Sequence, residues 1–137
     1  MILNNEIETS NFAQDISKTL KADDILLLSG DLGSGKTFIV REIIQNLCGK
    51  NTKVISPTFN ILQTYATPYF TIYHYDLYRL KSLDEIYELG IEEALSDNSI
   101  CIIEWPEILE SWLPKPYIKI HLEIIGIKRK CIKTIIT

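Results

Sequence analysis

The chain is short of cysteine, of basic charge and of long apolar runs. Its three cysteines, Cys48, Cys101 and Cys131, are unevenly spaced and form no CxxC pair, which argues against both a zinc site and a disulfide framework. Cys101 lies inside an apolar, strand-like run, where a free thiol behaves as a small hydrophobe. Fourteen Lys and Arg against eighteen Asp and Glu give a formal charge of −4. General nucleic-acid binding relies on a basic footprint, so any RNA contact is expected to be local or to run through partners. No apolar run approaches the roughly 18 residues of a membrane span, and no basic segment leads into an apolar stretch at the N-terminus, so a cytoplasmic protein without membrane association is expected. A length of 137 residues with 46% hydrophobic content suits one domain, residues 1–137, burying about two-thirds of its unfolded surface.

What the chain does contain is an eight-residue loop, Gly30-Asp31-Leu32-Gly33-Ser34-Gly35-Lys36-Thr37, that matches the phosphate-binding pattern GxxxxGK[ST]. Each residue type has a chemical reason to be there. Glycines let backbone N–H groups turn inward around phosphate oxygens, Lys36 reaches the β- and γ-phosphates, and the Thr37 hydroxyl can take a Mg²⁺ position. Four fixed positions arise by accident in roughly one in a hundred chains this long, so context decides. Ile25-Leu26-Leu27-Leu28 before the loop reads as a strand buried on both faces. The segment from Phe38 to Cys48 places Ile39, Ile43, Ile44 and Leu47 at helical spacing. Strand, glycine loop and helix stand in the required order.

Along the rest of the chain, Thr9 or Ser10 is expected to cap a helix running to about Lys21, with Phe12, Ile16 and Leu20 as its apolar stripe. Gly49 suits the end of the helix after the glycine loop, and Val54-Ile55 reads as a short strand. Residues 61–67 and 69–75 are β-rich runs parted at Pro68, a hairpin. Leu83 to Leu89 is helix-like behind Ser82, and a shorter helix follows Gly90 to near Leu95. Ser99 to Glu104 is a buried strand, Ile108 to Trp112 a helical turn, and 117–124 and 131–136 are two late strands. The basic run Lys128-Arg129-Lys130 reads first as a solvated turn between them. Strands alternating with helices early in the chain imply an α/β domain with a mostly parallel central sheet and antiparallel additions.

A phosphate loop needs a carboxylate at a strand end to hold Mg²⁺ and a group to orient the attacking water. Two acids qualify. Glu104 ends the run Ile100-Cys101-Ile102-Ile103, and Asp76 ends Thr71-Ile72-Tyr73-His74-Tyr75; ligands of α/β sheets gather at such carboxyl ends. The more continuous strand favours Glu104 as the metal-linked acid, leaving Asp76 for water positioning or an outer metal contact, with His74 beside it to tune it or simply to pack. Ser56-Pro57-Thr58-Phe59 is a stiffened turn bearing two hydroxyls, and Thr58 is a candidate sensor of the γ-phosphate. Arg41 and Arg79 are available to offset charge developing on that phosphate, although Arg41 is expected on the solvent side of its helix.

In order, the blocks GDLGSGKT, SPTF, HYDLYRL (His74 to Leu80), Glu88-Leu89-Gly90-Ile91 and IEWPE (Ile103 to Glu107) resemble the TsaE family, also called YjeE, over nearly the whole chain. The resemblance implies a P-loop NTPase-type three-layer fold and a small Mg²⁺-dependent ATPase for threonylcarbamoyladenosine modification of tRNA. It would act at adenosine 37 of tRNAs reading ANN codons, with partners of the TsaD and TsaB families and with tRNA met through the complex. By motif, residues 30 to 38, Gly30 through Phe38, would bind ATP. Lys36, Thr58 and Asp76 would serve hydrolysis, Thr37 and Glu104 would hold Mg²⁺, and Trp105 would lie beside the nucleotide. The resemblance places the adenine near Thr9 and Lys128-Arg129. No NKxD-type segment supports guanine. A small-molecule kinase and a nucleotide-gated assembly module without essential hydrolysis are the alternatives.

Overall fold

The computed structural model describes residues 1–137 except Asp97. Seven strands, β1 (Ile2–Leu3), β2 (Ile25–Gly30), β3 (Leu62–Ala66), β4 (Thr71–Asp76), β5 (Ser99–Glu104), β6 (Tyr117–Ile125) and β7 (Lys128–Ile136), form one sheet in the order β1-β7-β6-β2-β5-β4-β3. The centre is parallel: β2 pairs with both β5 and β6, and β4 with β5. The wings are antiparallel, β3 on β4 and β7 between β6 and β1. Every residue of β2 and of β5 is buried, as expected of strands covered on both faces.

Two helices, α1 (Glu6–Thr19) and α2 (Lys36–Cys48), cover one face. There Phe12, Ala13 and Ile16 meet Ile39, Val40, Ile43 and Ile44, over Leu26, Leu28, Ile100, Ile102 and Ile120 of the sheet. Each such buried aliphatic side chain contributes about 1.5–3 kcal/mol. Two short helices, α3 (Leu83–Glu88) and α4 (Ile91–Ala94), with 3₁₀ turns at Pro106–Ile108 and Glu110–Trp112, cover the other face, where Ile86, Ile91, Ala94, Leu109 and Leu113 pack on Leu27, Tyr75 and Ile103. A sheet between two helical layers is the three-layer α/β arrangement expected.

Three local expectations differ. The first helix begins one turn earlier than Thr9 or Ser10, because Asn5 caps it: its Oδ1 accepts from the Glu8 N–H at 2.9 Å. Glu6 and Glu8 in the first turn suit the positive end of the helix dipole. Val54-Ile55 forms no strand; the Tyr65 hydroxyl, not a ladder, meets the N–H of Ile55 at 3.1 Å. Lys128-Arg129-Lys130 belongs to β7 rather than to a turn, since the reversal is made earlier, at Gly126-Ile127. Of the added residues, Arg129 and Lys130 pair with the two-residue β1, too short to leave a periodic signal. Among the described residues, no helix is long and apolar enough to cross a membrane.

Candidate nucleotide site

The site lies at the carboxyl ends of β2, β4 and β5, where parallel strands open onto their loops. β2 ends at Gly30, with a φ of 142°. A Cβ there would stand 2.6 Å from the Leu122 carbonyl oxygen and 2.8 Å from Ser34 Oγ, so only glycine lets the chain leave β2 in this direction. Gly30→Ala is expected to displace the loop, lowering the melting temperature and weakening nucleotide binding more than tenfold; unchanged binding by calorimetry would remove the loop from the account. Gly35 (φ 106°) precedes α2 in the left-handed region, and α2 then starts at Lys36 directly after the loop, its first backbone N–H groups without acceptors inside the helix. A helix start of this kind favours anions.

Lys36 is 5% exposed. Its Nζ donates to the carbonyls of Gly30 (2.5 Å) and Asp31 (2.9 Å) and lies 4.2 Å from the centroid of the Trp105 ring. Burial lowers its pKa, opposed by the negative charges of Glu104, Asp76, Glu107 and Asp31. This is a cation held in a poorly solvated cleft with carbonyls and a ring as its partners, a setting that a phosphate would improve.

Pairing of β4 with β5 sets Asp76 directly across from Glu104. Glu104 is 1% exposed and both of its oxygens are engaged: Oε1 accepts from the Thr37 hydroxyl at 2.9 Å, and Oε2 lies 2.6 Å from His74 Nε2. His74 is fully buried and its Nδ1 has no partner. Of the two roles open to His74, tuning Asp76 or simply packing and hydrogen-bonding, the direct contact is of the second kind: residues 74 and 76 share a face of the strand, but the ring reaches across to Glu104 on the neighbouring strand. Asp76 accepts from the Tyr78 N–H at 3.0 Å. Its pKa is raised, first by burial and then by the Glu104 charge, against that hydrogen bond and the charges of His74 and Lys36.

These residues line one cleft of about 350 Å³ whose walls include Gly33, Gly35, Lys36, Thr37, Thr58, Asp76, Glu104 and Trp105. Leu32, Phe38, Tyr78 and Arg79 complete it. Trp105 holds a φ of 55°, uncommon for a bulky residue, and its ring packs on Tyr78 with centroids 4.7 Å apart and planes inclined by 47°. Thr58 Oγ1 lies 2.7 Å from Ser56 Oγ. Arg79 rests over the Phe59 ring at 4.8 Å, and Arg41 is exposed on α2.

A second hollow of about 360 Å³ on the other side of the loop is lined by Thr9, Arg129, Gly33, Ser34, Gly35 and Phe38, with Leu3, Asn5, Glu6 and Ile127. Thr9 and Arg129, far apart in sequence, thus meet beside the loop. Asp31 remains exposed, its carbonyl turned to Lys36. Sequence reasoning missed Asn5, Glu6, Leu3 and Ile127 here, since β1 and the true helix start went unread. It also missed the Tyr78–Trp105 pair, which joins residues on two loops.

A hydroxyl and a carboxylate, hard oxygen donors held together at the helix start, suit Mg²⁺, which commonly takes one or two protein ligands and completes its shell with phosphate and water. Among the described residues no group of three or more His, Cys, Asp or Glu could hold a metal by itself, so an ion at Thr37 and Glu104 would be shared with a bound nucleotide.

Comparison with known proteins agrees with this arrangement. The family profile described as "Threonylcarbamoyl adenosine biosynthesis protein TsaE" matches residues 3–131. A tRNA threonylcarbamoyladenosine biosynthesis protein TsaE of Rickettsia bellii (strain RML369-C) is 61% identical over 131 residues, 95% of this chain and 90% of that one. Its counterpart of the same name in Bacillus subtilis (strain 168) is 34% identical over 122 residues, 89% of this chain and 75% of that one. The crystal structure of B. subtilis YdiB superposes with a TM-score of 0.78 at 28% identity, covering 100% of this chain and 84% of that one. Glycine loop, paired strand-end acids and this match over most of the chain lead to one conclusion: the chain belongs to the TsaE family, whose members are threonylcarbamoyl adenosine biosynthesis proteins.

Proposed function

We propose that the chain is a cytoplasmic Mg²⁺-dependent ATPase that serves threonylcarbamoyladenosine modification of tRNA together with TsaD- and TsaB-like partners. The observation that carries this reading is the convergence of Lys36, Thr37, Thr58, Asp76 and Glu104 on one cleft beside a glycine loop. In it, residues 30 to 37 cradle the phosphates with inward N–H groups, and Lys36 gives up its carbonyl partners for the β- and γ-phosphates. Mg²⁺, when bound, would supply positive charge to offset that of the phosphates. Thr37 and Glu104 hold that ion, and the His74 contact fixes the Glu104 carboxylate. Asp76, poised across from Glu104, orients the water that attacks the γ-phosphate, and Thr58 senses whether that phosphate is present. Adenine lies toward the hollow formed by Thr9 and Arg129, with Trp105 on the opposite side of the loop. The tRNA is met through the partner complex, in keeping with a chain of net charge −4.

Arg41 is exposed on α2, and Arg79, which lines the cleft, has its guanidinium laid over the Phe59 ring in the free protein. Isolated turnover is therefore expected to be slow, and to rise about 10-fold or more when TsaD- and TsaB-like partners are added, the scale on which an arginine supplied by a partner acts being larger still. Reconstituting the modification on tRNA with and without the chain tests the role. Product formation that proceeds for many turnovers in its absence would refute it. Transfer of label from ATP to a small acceptor would favour a kinase instead.

A further inference from the structure

Arg129, which lines the hollow beside the loop, also contacts the loop itself. On β7 its side chain reaches the glycine loop, where Nε donates to the Ser34 carbonyl at 3.1 Å and Nη2 to the Gly33 carbonyl at 3.1 Å. Nη1 donates to the carbonyl of Lys128 at 2.9 Å. Three donors of a planar fork are thus spent on three main-chain oxygens, which fixes the orientation of the guanidinium. In a phosphate-binding loop the N–H groups turn inward only if the carbonyls of the same peptides turn outward. Gly33 and Ser34 are the loop residues whose carbonyls Arg129 holds.

The base from which Arg129 acts is firm. Cys131, two residues on along the same face, is buried, exchanges main-chain hydrogen bonds with Met1 and pairs with Leu122 of β6. Leu122 in turn presents its carbonyl to Gly30 at the start of the loop. The β6–β7 wing therefore touches the loop twice, through main chain at Gly30 and through Arg129 at Gly33-Ser34. Within the loop the Ser34 N–H donates to the Asp31 carbonyl at 3.1 Å, and among the described residues the buried Ser34 hydroxyl has no hydrogen-bond partner.

We propose that Arg129 is a positioning residue that braces the glycine loop in its phosphate-receiving shape, through the carbonyls of Gly33 and Ser34, rather than a contact to the adenine. The inference rests on the ATP reading of the cleft. If the unbraced loop is competent only about a tenth of the time, apparent phosphate affinity falls about tenfold, by the fraction of competent molecules. A lysine keeps the charge but lacks the rigid fork, so Arg129→Lys does not restore the shape.

The test is calorimetric binding of inorganic pyrophosphate, which has phosphates and no base, and of adenosine, which has a base and no phosphates, to the full chain and to Arg129→Gln and Arg129→Lys. Pyrophosphate affinity is expected to fall about tenfold in both variants, with adenosine affinity within about twofold of the parent and a thermal melt showing that each variant is folded. Adenosine affinity lost with pyrophosphate affinity kept would make Arg129 a base contact and overturn the proposal. Pyrophosphate affinity retained in Arg129→Lys but lost in Arg129→Gln would also overturn it, leaving only a charge effect. Failure of the parent chain to bind either ATP or pyrophosphate would instead contradict the ATP reading itself, a result separable from the comparison of variants.

Discussion

Replacing Lys36 by methionine is expected to weaken ATP binding about a hundredfold and to bring hydrolysis below detection while leaving the fold intact. Nζ is the cation nearest the floor of the cleft, and in the free protein it is held only by two carbonyls and the Trp105 ring. Hydrogen bonds to charged groups contribute about 1.5–3 kcal/mol each, so losing the contacts to the β- and γ-phosphates costs about two decades in Kd. Stability should change little, because burial already lowers the pKa of this amine; the charged form is disfavoured where it sits, and an apolar side chain of similar length fits the same space. Calorimetry for ATP and a thermal melt check both halves. Undiminished affinity in a folded variant would mean that phosphate does not occupy the loop.

Asp76→Asn should separate chemistry from binding. The amide keeps the acceptor for the Tyr78 N–H but loses the negative charge that orients and activates water. Removal of such a group lowers rates by about 10²–10⁴, so hydrolysis should fall by that order with ATP affinity within a fewfold of the parent. The same substitution is expected to stabilise the ligand-free protein. Burial and the neighbouring Glu104 raise the Asp76 pKa, so its folded-state value lies above the unfolded one. Such a group supports folding while protonated in both states, and that support is lost as pH rises through the folded value. At neutral pH the Asn variant should therefore melt higher than the parent, and the difference should shrink as acidification protonates Asp76. A variant that loses hydrolysis yet still supports tRNA modification through many cycles would favour a binding switch over an ATPase.

The parts of the fold legible in the sequence are those with strong local signals. The continuous apolar runs 25–28 and 100–103 became β2 and β5, because strands covered on both faces need no alternation. Ser82 and Glu85 form the capping box at the head of α3. Glu104 and Asp76 were readable as strand-end acids, and of the residues expected around ATP all but Gly30 and Asp31 line the cleft or the hollow beside it. What could not be read depends on register and on very short elements. Nothing local tells His74 to reach Glu104 rather than Asp76; that follows from β4 lying beside β5 with Asp76 opposite Glu104. Nor does a two-residue β1 announce itself, although it pairs with Arg129 and Lys130 on β7, from which the Arg129 side chain reaches the loop. Asn5, Thr9 and Ser10 have similar intrinsic preference as caps, so residue type alone does not choose among them.

The most direct measurement of the central claim is phosphate release from ATP by the purified chain with its TsaD- and TsaB-like partners, with Mg²⁺ present and then chelated, and with Lys36→Met alongside. Release that depends on Mg²⁺, rises with the partners and vanishes in the Lys36 variant is the predicted result. ATP that binds with full affinity but yields no phosphate above background under any of these conditions would contradict the account.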